Sequence, residues 1–509
     1  MKRLLSAVAI FMVAVLALAG CGTSGNSSKS AGKHMNIGFF WFGDSLDPAH
    51  EWDGWTVQRI GVGETLVTVT DKMEFAPQLA DKWEVVNPTT WKFHIRENVK
   101  FHNGNPVTAE AVKASLERTL KENKRAITAS KIASMTANGQ DLIIETTEPY
   151  GAFLANITEP LFIIVDTKAD LSKVAEAPVA TGPYMVTSFK KNDEIKLKKN
   201  DKYWDGTAKL DTITIKNIED PSKRAMALQS GEMDMIQMVV AANKELFKDT
   251  KKYSLIEGTG VRTTMLNLNV TNGPLTDLNL RKAISYALQY DEIAPLYGPG
   301  SKSAGAPFPP TTKFGYDKLT KLGTDAAKAE AAFKAAGYTK NAQGFWEKDG
   351  KELTLTFAHW GKVPAANEAI QNNLQKAGVK VEMKRVKGRE DESVQGMQGF
   401  DILENVYVTA TTNDSLWFLG QVFKTGAKGN KGGYSNAQVD ELLAKLEVEF
   451  DVNARRDITF AIEQQILADA PVIFLAYPGN SMAAKANVKN AVAHPLDYYL
   501  ITKDLMIEK

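Results

Sequence analysis

Four residues near position 50 are the best suited in the chain to bind a small solute. His50, Trp52, Trp55 and Arg59 lie within one short stretch of the chain. Two indole rings and a guanidinium group can stack on a planar solute and pair with its carboxylate. Tryptophans three residues apart also pack well on one face of a short helix, so ordinary packing is the alternative for either one. The stretch therefore predicts a binding site for an anionic or zwitterionic solute.

No motif in the sequence indicates a catalytic site. The chain has no Gly-x-Ser-x-Gly nucleophile elbow, no phosphate-binding loop and no His-Glu-x-x-His sequence. Asp401 with Glu404, and Asp201 with Asp205, are carboxylate pairs of the kind that hydrolases use. Neither pair lies beside a motif that would raise a pKa. We expect a protein that is not an enzyme, needs no cofactor and leaves its solute unchanged.

The histidines do not indicate a metal site built from side chains alone. They show no close pair on a helix face and have no cysteine partner nearby, so the spacing typical of zinc ligands is missing. The sequence predicts no metal ligands in the protein. The six histidines are His34, His50, His94, His102, His359 and His494.

The first 21 residues predict an export signal of the lipoprotein type. Lys2 and Arg3 give a cationic start, residues 4–18 form one apolar run, and Leu-Ala-Gly precedes Cys21. A permanent membrane anchor, the alternative, needs about 20 apolar residues, more than this run provides. We expect a signal peptide at 1–20, lipidation of Cys21, and a flexible tether at 21–35. Cys21 is the only cysteine of the chain, so no internal disulfide can form.

The remaining residues form a body too long for one hydrophobic core. About 470 residues usually divide into two or more lobes. The formal net charge of the chain is only +1, and its acidic and basic residues are interspersed. A nucleic-acid surface needs a concentrated basic face, so we exclude that function.

Apolar periodicity predicts mixed α and β structure. Trp91, Phe93 and Ile95 alternate with polar residues, as in a half-buried strand. Thr108 is placed to cap a helix whose apolar residues repeat every four positions. Leu280, with the apolar residues that follow it at helical spacing, predicts a second core-facing helix.

One segment of the second half predicts a β-α-β unit. Strands at 353–357 and 379–383 flank a helix at 364–377, so the strands should be parallel. His359 and Trp360 follow the first of these strands, at the end where open α/β sheets place ligand loops. Both residues are candidates for solute binding.

The order of motifs along the chain resembles that of the family 5 extracellular solute-binding proteins, the peptide- and nickel-binding components of ABC importers. The resemblance covers nearly all residues after the tether. The segments that carry it are 76–84 (APQLADKWE), 91–104, 181–184 (TGPY), 200–206 (NDKYWDG), 220–234, 266–269, 280–284 and 470–473.

The resemblance implies a bilobal α/β clamshell of the class II periplasmic-binding type, with an extra subdomain inserted in the first lobe. Such a monomeric receptor closes on its ligand and presents the closed form to a permease, which an ATPase drives. It would be held on the extracytoplasmic face of the membrane by its lipid. The implied ranges are 36–67, 166–264 and 481–509 for lobe I, 68–165 for the inserted subdomain, and 265–480 for lobe II.

Further site residues come from the same resemblance. The loop of His50, Trp52, Trp55 and Arg59 would line the cleft. Arg125 falls where the nickel-binding members present an arginine to a ligand carboxylate, although a solvated helix end is its alternative role. Tyr407 would reach the cleft from the second lobe.

Trp417, also on the second lobe, has the sequence setting of a core residue, because it precedes Phe418 and Leu419. We therefore prefer Tyr407 as the candidate on this lobe.

The ligand itself stays open between oligopeptides or dipeptides and nickel. Two features of the nickel-binding members are missing, because Leu161 replaces an arginine and Thr409 and Asn413 stand where a tryptophan and a tyrosine occur. A nickel ion inside an organic chelator needs few protein ligands and remains compatible. A peptide receptor or chaperone that does not serve transport is the alternative function, and a lipid-anchored hydrolase is the least favoured.

Overall fold

A computed structural model describes residues 33–312, 314, 316–387 and 392–508. The predicted signal peptide and Cys21 lie outside the described residues. Two large β-sheets organise the part that is described. In spatial order, the first sheet contains Tyr253–Thr259, Gly479–Lys485, Met235–Gln237, His34–Phe39, Thr212–Asn217, Glu194–Lys199 and Tyr184–Lys190. The second contains Lys302–Ser303, Val472–Tyr477, Arg262–Leu268, Ile402–Val408, Thr354–His359 and Lys380–Arg385.

A third sheet is local in sequence. It is formed by Ala80–Asn87, Thr90–Ile95, Asp141–Thr146 and Ile132–Asn138, in that spatial order and with antiparallel pairing throughout. We call it the four-stranded sheet. Smaller pairings join Val67–Val69 to Phe75–Pro77, Val488–Lys489 to Met506–Ile507, and Trp346–Lys348 to both Thr339–Lys340 and Lys351–Glu352.

The helices pack on these sheets. Ala109–Glu122 contacts the strands Ile132–Asn138 and Asp141–Thr146 of the four-stranded sheet. Ala437–Val448 and Val452–Asp469 pack against each other and bury their apolar residues with those of the second sheet. The other α-helices are Gly54–Arg59, Lys124–Ser130, Phe153–Asn156, Pro221–Gln229, Leu278–Ala287, Tyr290–Ile293, Ala326–Ala335, Pro364–Lys376 and Leu416–Phe423.

Local predictions from periodicity are confirmed. In the strand Thr90–Ile95, Trp91, Phe93 and Ile95 are buried while the residues between them are partly exposed. The hydroxyl of Thr108 accepts a hydrogen bond from the backbone N–H of Ala111 at 3.2 Å, as an N-cap does. These features follow from short-range chemistry that the sequence displays directly.

The β-α-β unit is also confirmed. Thr354–His359 and Lys380–Arg385 are parallel neighbours, joined by the helix Pro364–Lys376. Leu280 and its apolar partners are buried on the helix Leu278–Ala287. The sequence period thus identified both the elements and the parallel direction of the two strands.

The chain crosses between the two large sheets at two places. It leaves the first sheet after Thr259 and enters the second at Arg262, and it returns between Tyr477 and Gly479. A Cβ atom at Gly479 would lie 1.9 Å from the carbonyl oxygen of Pro299, so only glycine fits the second crossing. The predicted lobe boundaries remain predictions.

His102 ties the loop before the helix Ala109–Glu122 to the segment that enters the first sheet. Its Nδ1 accepts a hydrogen bond from the backbone N–H of Ala180 at 3.3 Å, and its Nε2 lies 3.1 Å from the carbonyl oxygen of Gly182. This pairing requires a neutral imidazole with its proton on Nε2. Burial lowers the pKa of His102 to about 4.

We expect the stability contributed by His102 to be complete above pH 6.5 and lost as the pH falls toward 4. In the unfolded chain this imidazole takes up a proton near pH 6.5, so the unfolded state binds more protons over this range. The loss should reach about 3 kcal/mol in the free energy of unfolding at pH 4. Urea unfolding of the wild type and of His102→Gln at pH 7 and pH 4 measures it.

The variant His34→Gln is the matched control, since His34 is exposed. It should keep the wild-type pH dependence, whereas His102→Gln should show a smaller one. An equal pH dependence in all three proteins would contradict a buried neutral His102.

Candidate functional site

The most distinctive charged contact of the molecule involves Arg125. Its guanidinium group lies over the indole ring of Trp52, 3.7 Å from the ring centroid, and forms an ion pair with Glu159. Its Nη2 also donates a hydrogen bond to the carbonyl oxygen of Glu51 at 3.2 Å. The flat guanidinium is therefore fixed on one face by an aromatic ring and at its edge by oxygen atoms.

Local structure holds both partners in place. Arg125 is at the start of the helix Lys124–Ser130, where the side chain of Asn123 accepts a hydrogen bond from its backbone N–H at 3.0 Å. Trp52 lies in the turn before the helix Gly54–Arg59 and follows Glu51, whose φ of 43° is left-handed. This sharp turn allows the indole ring to stay 42% exposed rather than pack inside.

A cavity of about 90 Å³ opens beside this contact. Trp52, Arg125 and Glu159 line one side. The opposite side comes from the segment that follows the strand Ile402–Val408 of the second sheet. That side is lined by Thr411, Thr412, Trp417 and Gln421.

Trp417 is exposed to 42%, so its predicted core position is wrong. The buried face of the helix Leu416–Phe423 contains Phe418, Leu419, Val422 and Phe423. Trp417 and Gln421 are four residues apart and share the opposite face, which borders the cavity. The sequence of this helix is mostly apolar, so it does not show which face is buried. That becomes clear only from how the helix packs in the structure.

The two sides of the cavity are in direct contact. The Thr412 hydroxyl donates to Asn156 Oδ1 at 3.1 Å, and the hydroxyl of Tyr498 donates to the carbonyl oxygen of Thr411 at 2.6 Å. Farther along the same boundary, Lys131 forms an ion pair with Glu447. The structure therefore shows the two sides closed on each other.

Trp55 continues the aromatic row. Its ring lies edge-on to Trp52 at 5.9 Å and 5.1 Å from the ring of Tyr498. Trp55 also lines a second, smaller cavity of about 50 Å³, together with Arg262 and Asp497. This cavity lies where the chain crosses between the two large sheets.

Arg59 is buried rather than presented to solvent. It is 2% exposed, and its Nε donates to the carbonyl oxygen of Asp497 at 3.1 Å. Burial alone would raise the pKa of Asp497, but Arg262 and Arg59 together hold that pKa below its usual value. Arg59 thus supports a charge network beside the site, and its contact with a solute remains a prediction.

His50 is mainly engaged with its own turn. Its Nδ1 lies 2.7 Å from a carboxylate oxygen of Asp53, and this hydrogen bond raises the pKa of the imidazole. The two residues close the turn that contains Trp52. Solute contact by His50 also remains a prediction.

The second-sheet candidates make contacts within their own part of the structure. Trp360 donates its indole N–H to the carbonyl oxygen of Glu404 at 2.8 Å, and His359 Nδ1 lies 3.0 Å from the Asn367 amide nitrogen. The hydroxyl of Tyr407 donates to the carbonyl oxygen of Gly429 at 3.4 Å. His359, Trp360 and Tyr407 are absent from the described lining of the 90 Å³ cavity.

The carboxyl groups of Asp401 and Glu404 are more buried than the sequence suggests. Burial raises the pKa of each, contrary to our expectation for this pair. Asp401 accepts a hydrogen bond from the backbone N–H of Thr356 at 2.8 Å, and Glu404 accepts one from the Tyr297 hydroxyl at 2.9 Å. These bonds attach both groups to the second sheet and its neighbours.

The described residues contain no group of three or more His, Cys, Asp and Glu side chains arranged to hold a metal ion. None of their helices combines the length and the apolar character that a bilayer crossing requires.

Sequence similarity to known proteins extends over nearly the whole chain. The profile described as "Bacterial extracellular solute-binding proteins, family 5 Middle" matches residues 74–430. The nickel-binding protein NikA of Staphylococcus aureus (strain NCTC 8325 / PS 47) is 31% identical over 506 residues, which cover 99% of both chains. The dipeptide-binding protein DppE of Bacillus subtilis (strain 168) is 25% identical over 494 residues, covering 89% of this chain and 88% of DppE.

A solved structure extends the similarity to three dimensions. The crystal structure of NikA from Staphylococcus aureus in complex with Ni(L-His)2 superposes with a TM-score of 0.75 at 27% identity. The match covers 94% of this chain and 100% of that one, and it confirms the expected bilobal α/β class. The chain belongs to the bacterial extracellular solute-binding proteins of family 5.

Proposed function

We propose that this protein is the solute-binding lipoprotein of an ABC importer. It captures a peptide or a nickel chelate outside the cell and delivers it, unmodified, to a membrane permease that an ATPase drives. Membership in family 5 supports this role, and the names of NikA and DppE point to these two classes of solute. Lipidation of Cys21 would keep the monomeric receptor at the membrane surface, as the sequence around it predicts.

The main structural support for this proposal is the Arg125–Glu159 pair, which lines the 90 Å³ cavity. Arg125 offers N–H donors to a carboxylate, and Glu159 offers oxygen atoms to an ammonium group. A solute that carries both charges can exchange with the internal pair without leaving either side chain unpaired. Amino acids, peptides and amino-acid chelates of a metal all carry a carboxylate.

The size of the cavity supports capture by closure. About 90 Å³ corresponds to roughly three water molecules, so a dipeptide or a bis-amino-acid chelate can enter only after the two sides open, and the sides then close again around it. Trp52 and Trp417 lie on opposite sides and would then meet the solute from both directions. A solute that contacts both sides stabilises the closed form in proportion to its preference for that form.

The choice between peptide and nickel depends on how a metal would be held. Leu161 is 1% exposed and belongs to the core around the four-stranded sheet, so it supplies no polar group. With no protein metal cluster among the described side chains, nickel would enter inside an organic chelator. The carboxylates of the chelator would then bind the guanidinium group of Arg125.

We expect Arg125→Ala to weaken solute binding by at least tenfold, because a hydrogen-bonded charge pair contributes about 1.5–3 kcal/mol. Isothermal titration calorimetry with Ni(L-His)2 and with a dipeptide measures the affinity. Native mass spectrometry of the purified protein first shows which of the two solutes it retains.

Lys124→Ala is the matched control, since Lys124 is an exposed cation next to Arg125. It should bind and melt like the wild type. Arg125→Ala should melt at a lower temperature, because it leaves the buried Glu159 carboxylate unpaired, but it should remain folded at the temperature of the titration. Equal affinity of Arg125→Ala and the wild type would remove Arg125 from the site.

We also expect Gly151→Ala to favour the open form. The Gly151 N–H donates to the carbonyl oxygen of Glu447 at 2.8 Å across the boundary, and a Cβ atom there would lie 1.7 Å from the carbonyl oxygen of Glu449. The added methyl group must push the two sides apart. Small-angle X-ray scattering should show a larger radius of gyration, and affinity should fall by about tenfold.

Gly323→Ala controls for the loss of a glycine, because a Cβ at this position meets no atom within 4 Å. It should keep the wild-type scattering curve and affinity. A Gly151→Ala protein as compact as the wild type would contradict closure through this contact.

A further inference from the structure

A larger cavity lies on the other side of the contact between Thr412 and Asn156. Its volume is about 370 Å³, four times that of the cavity beside Arg125. Ala155 and residues 413–415 line it, while their neighbours Asn156 and Thr412 line the smaller cavity. The Thr412–Asn156 hydrogen bond therefore separates two compartments of one interface.

The inner wall of this larger cavity is aromatic. Phe75, Trp91 and Phe450 line it, and the rings of Trp91 and Phe450 are 6.1 Å apart. Trp91 is 4% exposed, and its indole N–H has no acceptor in the part of the chain that the structure describes. A buried donor without a partner costs free energy, which an acceptor on a bound molecule would recover.

The rim of the cavity carries a cation that is not neutralised. The Nε and Nη2 atoms of Arg455 donate hydrogen bonds to Asp414 at 3.1 and 2.5 Å, so the charges of these two side chains neutralise each other. Arg456 follows on the same helix and is exposed, and it has no carboxylate partner among the described residues. Glu74, the remaining carboxylate of the lining, already takes part in an interaction of its own.

We propose that this cavity is a second binding site, which takes a small aromatic carboxylate. The ring would lie among Phe75, Trp91 and Phe450, and the carboxylate would pair with Arg456. A cavity of this size with an aromatic wall and, among the described residues, one unpaired cation at its mouth has the usual form of a small-molecule site. Neither the Arg125–Glu159 pair nor Trp52 contributes to it.

Occupancy of this site should be coupled to closure, a part of the inference that rests on the proposed function. Trp91 and Leu154 come from the region of the four-stranded sheet, whereas Ser415, Arg456 and Thr459 come from the second-sheet side. The cavity is complete only when the two sides meet. A molecule bound there stabilises the closed form and therefore raises the affinity of the Arg125 site for its solute. The solute must raise the affinity of the second site by the same factor.

The test uses 4-fluorophenylacetate as the probe and follows its ¹⁹F NMR signal during titration of the purified full-length protein. We expect saturable binding, with an affinity at least fivefold weaker for the uncharged 4-fluorophenylacetamide and for Arg456→Gln. Leu154→Trp, which fills the cavity with a larger side chain, should abolish binding. Arg125→Ala should bind the probe like the wild type, because Arg125 lies in the other compartment.

Absence of saturation up to about 5 mM probe, or equal affinity of the wild type, Arg456→Gln and Leu154→Trp, would overturn the second site. Melting temperatures of the variants show that they are folded. These results do not depend on whether the protein binds a nickel chelate or a peptide. For the coupling, the affinity for the solute should rise at least twofold in saturating probe, and an unchanged affinity would overturn it.

Discussion

The contact between the Thr412 hydroxyl and Asn156 joins two parts of the chain that are distant in sequence and pack with different sheets. Asn156 itself is held by its amide, which donates to the carbonyl oxygen of Ala129 at 2.8 Å and to the hydroxyl of Tyr150 at 2.6 Å. The bond is buried and lies between the two interface cavities. Both cavities exist only because this boundary is closed, so any solute that enters must act on it.

Under the proposed function, the Arg125–Glu159 pair would set the chemical selectivity of this boundary. A guanidinium held by Trp52, Glu159 and Glu51 loses little conformational freedom when a solute arrives, which favours affinity. Because Glu159 already neutralises Arg125, a solute with only one charge would leave the displaced partner unpaired at a cost of several kcal/mol. The wall therefore favours solutes that present a carboxylate together with a cationic group or a metal.

The sequence predicts the parts of this molecule that depend on neighbouring residues. The alternation of Trp91 and Phe93, the cap at Thr108 and the parallel strands around residues 354–385 all follow from periodicity and turn chemistry. Trp52 is a candidate because its ring can stack on a planar solute, and Arg125 is one because the family resemblance implies it. The structure places both beside one cavity, and their contact with a solute stays a prediction.

Features that depend on how distant elements meet were missed or left open. Trp417 borders the cavity because its helix buries the opposite face, which a run of apolar letters does not reveal. Arg59 is buried because Asp497, more than 400 residues away, lies beside it. The compartment around Trp91 and Arg456 likewise requires the tertiary contact, since its walls come from residues 73–155 and 312–459.

We infer that closure places a carboxylate of the solute on Arg125, between Trp52 and Trp417. A crystal structure of the protein with the solute that it retains on purification would show this contact. We expect a solute oxygen about 2.7–3.0 Å from the Arg125 guanidinium, with both tryptophans in contact with the solute. A solute bound elsewhere, with the Arg125–Glu159 pair intact and untouched, would contradict it.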